Sequence, residues 1–179
     1  VISSTDAASV FSVLRSKKLN LRYGTASILE LESGSNDPWA YMLTVIILSV
    51  MKGGATAGGF VVSLLAQVFF GVGFGALISL GAVYLIKRVR FDAAGFDAIF
   101  VTAIAILSYA LPSAVGGNGY LSCYIVGIVL GNTKISGKTA LVHFFDGITG
   151  FTQILLFFLL GLLAFPSQMP SIILPAAAI

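Results

Sequence analysis

The chain has 179 residues, 58% of them hydrophobic and 9% charged, with a mean hydropathy of +1.02. An ordinary soluble domain carries about 25% charged residues, so the composition excludes a soluble domain or soluble enzyme and implies an all-α, polytopic transmembrane helical bundle. The net charge of +3 is spread over loops and forms no nucleic-acid patch, and the single cysteine, Cys123, excludes an intrachain disulfide or a metal cluster and reads as a small packing residue.

A spanning helix needs about 20 mainly apolar residues. The first apolar segment, Val1–Leu14, is partial, has no initiator Met and follows no visible signal peptide. The last, from Ile172 to Ile179, is partial too, so the chain reads as a fragment of a longer protein, forming a single transmembrane domain over residues 1–179. Within the first segment Ser3-Ser4-Thr5-Asp6 is a polar break, and Ser, Thr or Asp there is a helix N-cap signal. A half-helix beginning inside the membrane presents open backbone groups and a dipole end to a cavity. Broken helices of this kind build ion sites in secondary transporters. The competing reading is a polar loop at the membrane surface. Against it, the basic loop starts only at Arg15, about one half-membrane later.

The next span, Ala26–Met51, holds the strongest signal: Glu32-Ser33-Gly34-Ser35-Asn36-Asp37-Pro38 between Ile28-Leu29 and the apolar run from Trp39. A charged side chain near the bilayer centre costs about 2.5–3.5 kcal/mol on insertion scales, so carboxylates there are rare and usually functional. With Glu30, three fall within eight residues. At 100° per residue, Ser33 and Asp37 stack at i, i+4, with Glu30 on the same face, while Glu32 and Asn36 form a second i, i+4 pair on an adjacent face. An amide can hold a carboxylate at that spacing. The pattern suggests that Asn36 holds Glu32, while Asp37 and Ser33 offer oxygens to one cavity. Hard monovalent cations prefer such ligands, and Asp37 can alternatively take a proton. Pro38 removes a backbone donor and should kink or loosen the turn. The bland reading is that these groups only tie helices together. For Glu30, nearest the cytoplasmic end, a place in a vestibule is the stronger reading.

Three further spans follow: Phe60–Ile86, long enough to require tilt, then Phe96–Val115 and the short Gly119–Asn132. Gly71-x-x-x-Gly75 and Gly127-x-x-x-Gly131 read as faces for close helix packing. Gly116-Gly117-Asn118-Gly119 reads as a tight outer turn. The last full span is Thr139–Phe165, where His143 and Asp146 at i, i+3 read first as a structural pair near a cytoplasmic funnel. A lone His makes no zinc site, and the only metal implied is a transported monovalent cation. Asp92 and Asp97 flank a basic loop and balance it. Nine of the ten basic residues fall in alternate connections (15–22, 87–92 and 133–138), and only Lys52 falls elsewhere. The positive-inside rule makes those three loops cytoplasmic. Ala26–Met51 then runs outward with Asp37 near mid-depth.

Glu32-Ser33-x-x-Asn36-Asp37 resembles the signature of the cation:proton antiporter superfamily, first class, the sodium/proton exchanger family. Longer strings resemble the bacterial potassium/proton antiporters of the cell volume regulation protein A type. These are Ser4-Thr5-Asp6-Ala7-Ala8 with Val10-Phe11, Leu29 through Pro38, Gly119-Tyr120-Leu121 with Gly127 through Asn132, and Phe145-Asp146-Gly147 through Gln153 to Leu163 with Pro166-Ser167. The resemblance spans essentially the whole chain. It implies an inverted-repeat fold with discontinuous helices and no cofactor. It also implies a homodimer in the lipid bilayer of the bacterial inner membrane, with a core domain moving against a dimerisation domain. Asp37 would alternately carry cation and proton, Glu32, Ser33 and Thr5 would complete the site, Asn36 would hold Glu32, and Asp6 would lie in an unwound stretch beside it. Such exchange serves pH and volume homeostasis, with potassium favoured by the subgroup and sodium the alternative. A partner discontinuous helix and an Arg are expected beyond Ile179. Trp39 and Tyr41 stand where relatives often carry Met and Val. A passive cation channel or a non-transporting scaffold stays open on the residues alone.

Overall fold

The computed structural model describes residues 24–51, 57–88, 95–135 and 137–163. Five helices follow in order: α1 (Thr25–Met51), α2 (Ala57–Arg88), α3 (Phe96–Ala114), α4 (Gly119–Asn132) and α5 (Lys138–Leu163). They match the five full spans expected from hydropathy, with ends moved by a few residues. The largest change is α2, which begins at Ala57 rather than Phe60 and ends on Lys87 and Arg88 in its last turn. Cations at a helix C-terminus interact favourably with the helix dipole, which supports the extra residues there. The segments 1–14 and 172–179 lie outside the described residues.

By length and composition, three helices suffice to cross a membrane: Gly58–Arg88, Phe96–Ala114 and Lys138–Leu163. Helix α4 is apolar but has 14 residues, or about 21 Å of rise against a hydrocarbon thickness of about 30 Å. Helix α1 is long enough but interrupted by its polar signature. It runs unbroken through Pro38, so the proline costs a hydrogen bond without ending the helix.

The chain divides into two compact units, one up to Lys138 and one from Thr139. In the first, α2, α3 and α4 enclose a small dry core of Ala82, Ile104, Val126 and Leu130, flanked by Ile78, Phe100 and Val101. Helix α1 joins them with its Met42 and Ile46 face, 1% and 3% exposed. Two close approaches set these distances. At Gly71 a Cβ would lie 2.9 Å from the Asn118 carbonyl oxygen, and at Gly75 it would lie 3.1 Å from the Ser122 Cα. The Gly71/Gly75 face is thus a packing face of α2 on α4. Gly127 and Gly131 differ: a Cβ at either meets nothing within 4 Å among the described residues. The second unit consists of α5 in the described residues, and none of its side chains is buried.

The turn between α3 and α4 positions the site. Gly116 takes φ of 78°, a left-handed conformation that favours glycine. The Gly117 N–H donates to the Pro112 carbonyl at 2.8 Å. This is the tight turn read from the sequence, and it lies alongside the middle of α1 rather than beside that helix's ends. Its Asn118 bonds to Pro38, thirteen residues (about 20 Å) from either end of α1. It also bonds to Gln67, ten residues (about 15 Å) into α2.

Candidate ion site

Helix α1 carries the acidic signature on a segment that is chemically weakened. Pro38 has no N–H, so the rung from residue 38 to the Gly34 carbonyl is missing. Within the segment, Asn36 Nδ2 donates to Glu32 Oε1 at 3.3 Å, and the structure thus brings these two together. Ser35 Oγ donates to the Glu32 carbonyl at 3.0 Å. Ser33 is buried at 1% exposure, while the neighbouring Asp37 and Glu32 are exposed among the described residues. Glu30 lies in α1, but its side chain is outside the described residues, as are Thr5, Asp6 and Asp92.

Three groups from α4 and its cap close on this segment. The first is Asn118, 0% exposed, whose polar atoms are all engaged. Its Nδ2 donates to the Pro38 carbonyl at 3.0 Å. Its Oδ1 accepts from the Leu121 N–H at 3.1 Å as the N-cap of α4. Its backbone N–H donates to the Gln67 carbonyl at 3.1 Å, and its own carbonyl accepts from the Ser122 N–H at 3.2 Å. One asparagine therefore ties α1, α2 and α4 at a single depth. The second is Tyr124, whose hydroxyl donates to the Leu31 carbonyl at 3.2 Å. Its ring edge lies where a Gly34 side chain would be, 3.0 Å from an ideal Cβ. The glycine in the middle of the signature is what lets the tyrosine reach the carbonyl. The third is Tyr120, whose ring is tilted against Tyr41 of α1 (centroids 4.6 Å apart, 55°) and meets Tyr109 of α3 edge-on (5.2 Å, 82°). Tyr41, read from the sequence as an unusual neighbour of the site, is thereby held in an aromatic trio. Trp39 is 49% exposed.

Sequence reasoning missed Asn118 and Tyr124. Asn118 carried a usable signal as an N-cap residue before an apolar run. Tyr124 carried none, since its partner is a backbone carbonyl. Elsewhere, Cys123 accepts or donates across to Ser108 at 3.2 Å between α4 and α3, consistent with a packing role. His143 and Asp146 both lie in the first turns of α5. Asp97 occupies the first turn of α3, where an anion interacts favourably with the dipole. Among the described residues no group of three or more His, Cys, Asp or Glu could hold a metal ion.

A family described as sodium/hydrogen exchanger, transmembrane, matches residues 1–179. Among curated relatives, the K(+)/H(+) antiporter NhaP2 of Shewanella oneidensis is 39% identical over 184 residues, covering 100% of this chain and 31% of the relative. The K(+)/H(+) antiporter NhaP of Alkalimonas amylolytica is 37% identical over 182 residues, with 100% and 31% covered. The Na(+)/H(+) antiporter NhaS2 of a Synechocystis strain is 28% identical over 189 residues, with 100% and 33% covered. The chain thus spans about a third of the length of these relatives. No solved structure matches it.

Proposed function

Because the chain belongs to the sodium/hydrogen exchanger family, we propose that the whole protein exchanges a monovalent cation for protons across a bacterial inner membrane, with Asp37 as the shared carrier. The observation that carries this reading is the match over residues 1–179, with the acidic signature on a membrane helix. Potassium is the favoured ion because the relatives at 37–39% identity bear the name K(+)/H(+) antiporter. Loops 15–22, 87–92 and 133–138 face the cytoplasm by the positive-inside rule.

The chemistry follows from one carboxylate with two possible occupants. A cation or a proton neutralises Asp37, and the neutral site can cross the low-dielectric interior, where an unpaired charge is costly. Only the loaded forms move, so cation flow in one direction is tied to proton flow in the other without ATP. Glu32, held by Asn36, and Ser33, one turn from Asp37, add oxygens to the same site. Thr5 would join the ion site and Asp6 would support it, with Glu30 in a vestibule. The working protein is a homodimer.

The test uses the full-length parent in proteoliposomes with a pH-sensitive dye and a preset proton gradient. Added potassium or sodium should trigger proton movement, and comparison of the two salts names the ion. Asp37→Asn should abolish the response while the protein still elutes as a folded species. Transport at the wild-type rate by that variant removes Asp37 from the carrier role. Conductance without cation-linked proton movement would replace exchange with a channel.

A further inference from the structure

The missing rung of α1 is bracketed from outside. Pro38 deletes the internal hydrogen bond between residues 38 and 34. Tyr124 holds the carbonyl of Leu31 on one side of the signature, and Asn118 holds the carbonyl of Pro38 on the other. Both braces come from α4 and its cap. The residues between them, 32–37, are those of the acidic motif. A helix turn that lacks a rung can stretch or bend, because neighbouring rungs share the strain. Fixing its two ends to a second helix restores a defined length, and with it the separation of Glu32, Ser33 and Asp37.

From this geometry we infer that Asn118 and Tyr124 are positioning residues for the ion site, an inference that rests on the exchange reading above. They touch neither cation nor proton. They act through the α1 backbone and set how the oxygens of the signature converge. Their hydrogen-bond acceptors are carbonyls already within a helix, so losing one brace leaves no orphaned group on α1 and the fold survives. Gly34 belongs to the same device, because any side chain there would push the Tyr124 ring away from Leu31.

The test is exchange by the full-length protein in proteoliposomes, read as cation half-saturation, maximal rate and pH profile. Tyr124→Phe removes the hydroxyl and keeps the ring. Asn118→Ser keeps an N-cap oxygen for Leu121 and loses the reach to Pro38. Each should raise the half-saturating cation concentration about three- to ten-fold, the worth of one net hydrogen bond, and shift the pH of half-maximal rate. Pro38→Ala restores the donor to the Gly34 carbonyl, so in that background the effect of Tyr124→Phe should shrink to less than about two-fold. A double-mutant cycle reads that coupling, and a merely structural tyrosine would show none. Wild-type exchange with unchanged half-saturation and pH profile in both variants overturns the braces alone, as does strict additivity with Pro38→Ala. Loss of folded protein in both variants also overturns them, since the contacts would then hold the fold. Absence of wild-type exchange, or its persistence in Asp37→Asn, removes the exchange reading and the braces with it.

Discussion

Helix α4 meets two of its neighbours, α2 and α1, by different means. Against α2 the contact is mainly steric, with one backbone hydrogen bond from Asn118 to the Gln67 carbonyl: glycines at 71 and 75 let the α4 backbone approach until a single methyl group would overlap the Asn118 carbonyl or crowd Ser122. Against α1 the side-chain hydrogen bonds are sparse, one tyrosine hydroxyl and one asparagine amide on two carbonyls, beside the Tyr41–Tyr120 ring pair. The two seams differ in how they respond to displacement. Small-residue packing loses its dispersion energy steeply with sub-ångström separation, so the α2 seam should behave as a fixed joint. A pair of hydrogen bonds, each worth about 1 kcal/mol net, can be exchanged for others at modest cost. Under the proposed exchange function, the seam beside the acidic signature is the one suited to rearrange, and the seam behind it suits a static support.

The largest expected effect attacks the fixed joint. Gly71→Val would place its Cβ against a backbone carbonyl that cannot rotate away, 2.9 Å from the ideal position. Overpacking of this kind costs about 1–3 kcal/mol. The heat-induced loss of monodisperse full-length protein in detergent should shift clearly to lower temperature. Gly127→Ala, at a position with open space, is the matched control and should not shift it. Equal behaviour of the two variants would show that α2 and α4 are not in close contact.

A smaller effect separates the seams. Gly34→Ala meets the Tyr124 ring edge at 3.0 Å, and a ring can swing where a backbone cannot. Its thermal midpoint should stay near wild type, while exchange weakens as the Tyr124 hydroxyl leaves Leu31. Were Gly34→Ala to destabilise the protein as much as Gly71→Val, the distinction between a fixed joint and a breakable one would be lost.

The contrast also accounts for what could be read from sequence. Glu32, Asn36 and Asp37 were legible because charged and amide groups inside an apolar span cost free energy and stand out against their surroundings. Gly71 and Gly75 were legible from spacing. At Gly127 and Gly131 the same spacing meets no partner among the described residues, because a pair of glycines marks a possible close approach without naming a partner. Helix ends were legible to within a few residues from charge and hydropathy. The braces were not legible. Their acceptors are carbonyls 80 and 93 residues away in sequence, and every residue has a carbonyl, so nothing in the side chains of Leu31 or Pro38 announces the contact. The depth of the α3–α4 turn was hidden for a related reason. Hydropathy gives the length of α4, but only the pairing of Asn118 with mid-helix positions on α1 and α2 shows the level its turn reaches.

The smallest effect tests whether the supporting seam is as dry as its packing implies. Ser122 is 0% exposed, and its hydroxyl has no hydrogen-bond partner among the described residues. It belongs to the turn of α4 that Gly75 approaches. A buried hydroxyl without a partner carries its desolvation cost uncompensated, so Ser122→Ala should be neutral or stabilising by up to about 1 kcal/mol. The measurement is the same thermal midpoint, together with exchange at the wild-type rate. A clear fall in stability would mean that the hydroxyl has a partner in the membrane-embedded protein, and an ordered water with two or more polar neighbours would fill that role. The α2 seam would then contain a second polar point beside the Asn118–Gln67 backbone bond. Its contrast with the α1 seam would reduce to a difference in the number of hydrogen bonds, and the fixed joint would have to be sought lower in the bundle, where Ala82, Val126 and Leu130 pack without polar groups.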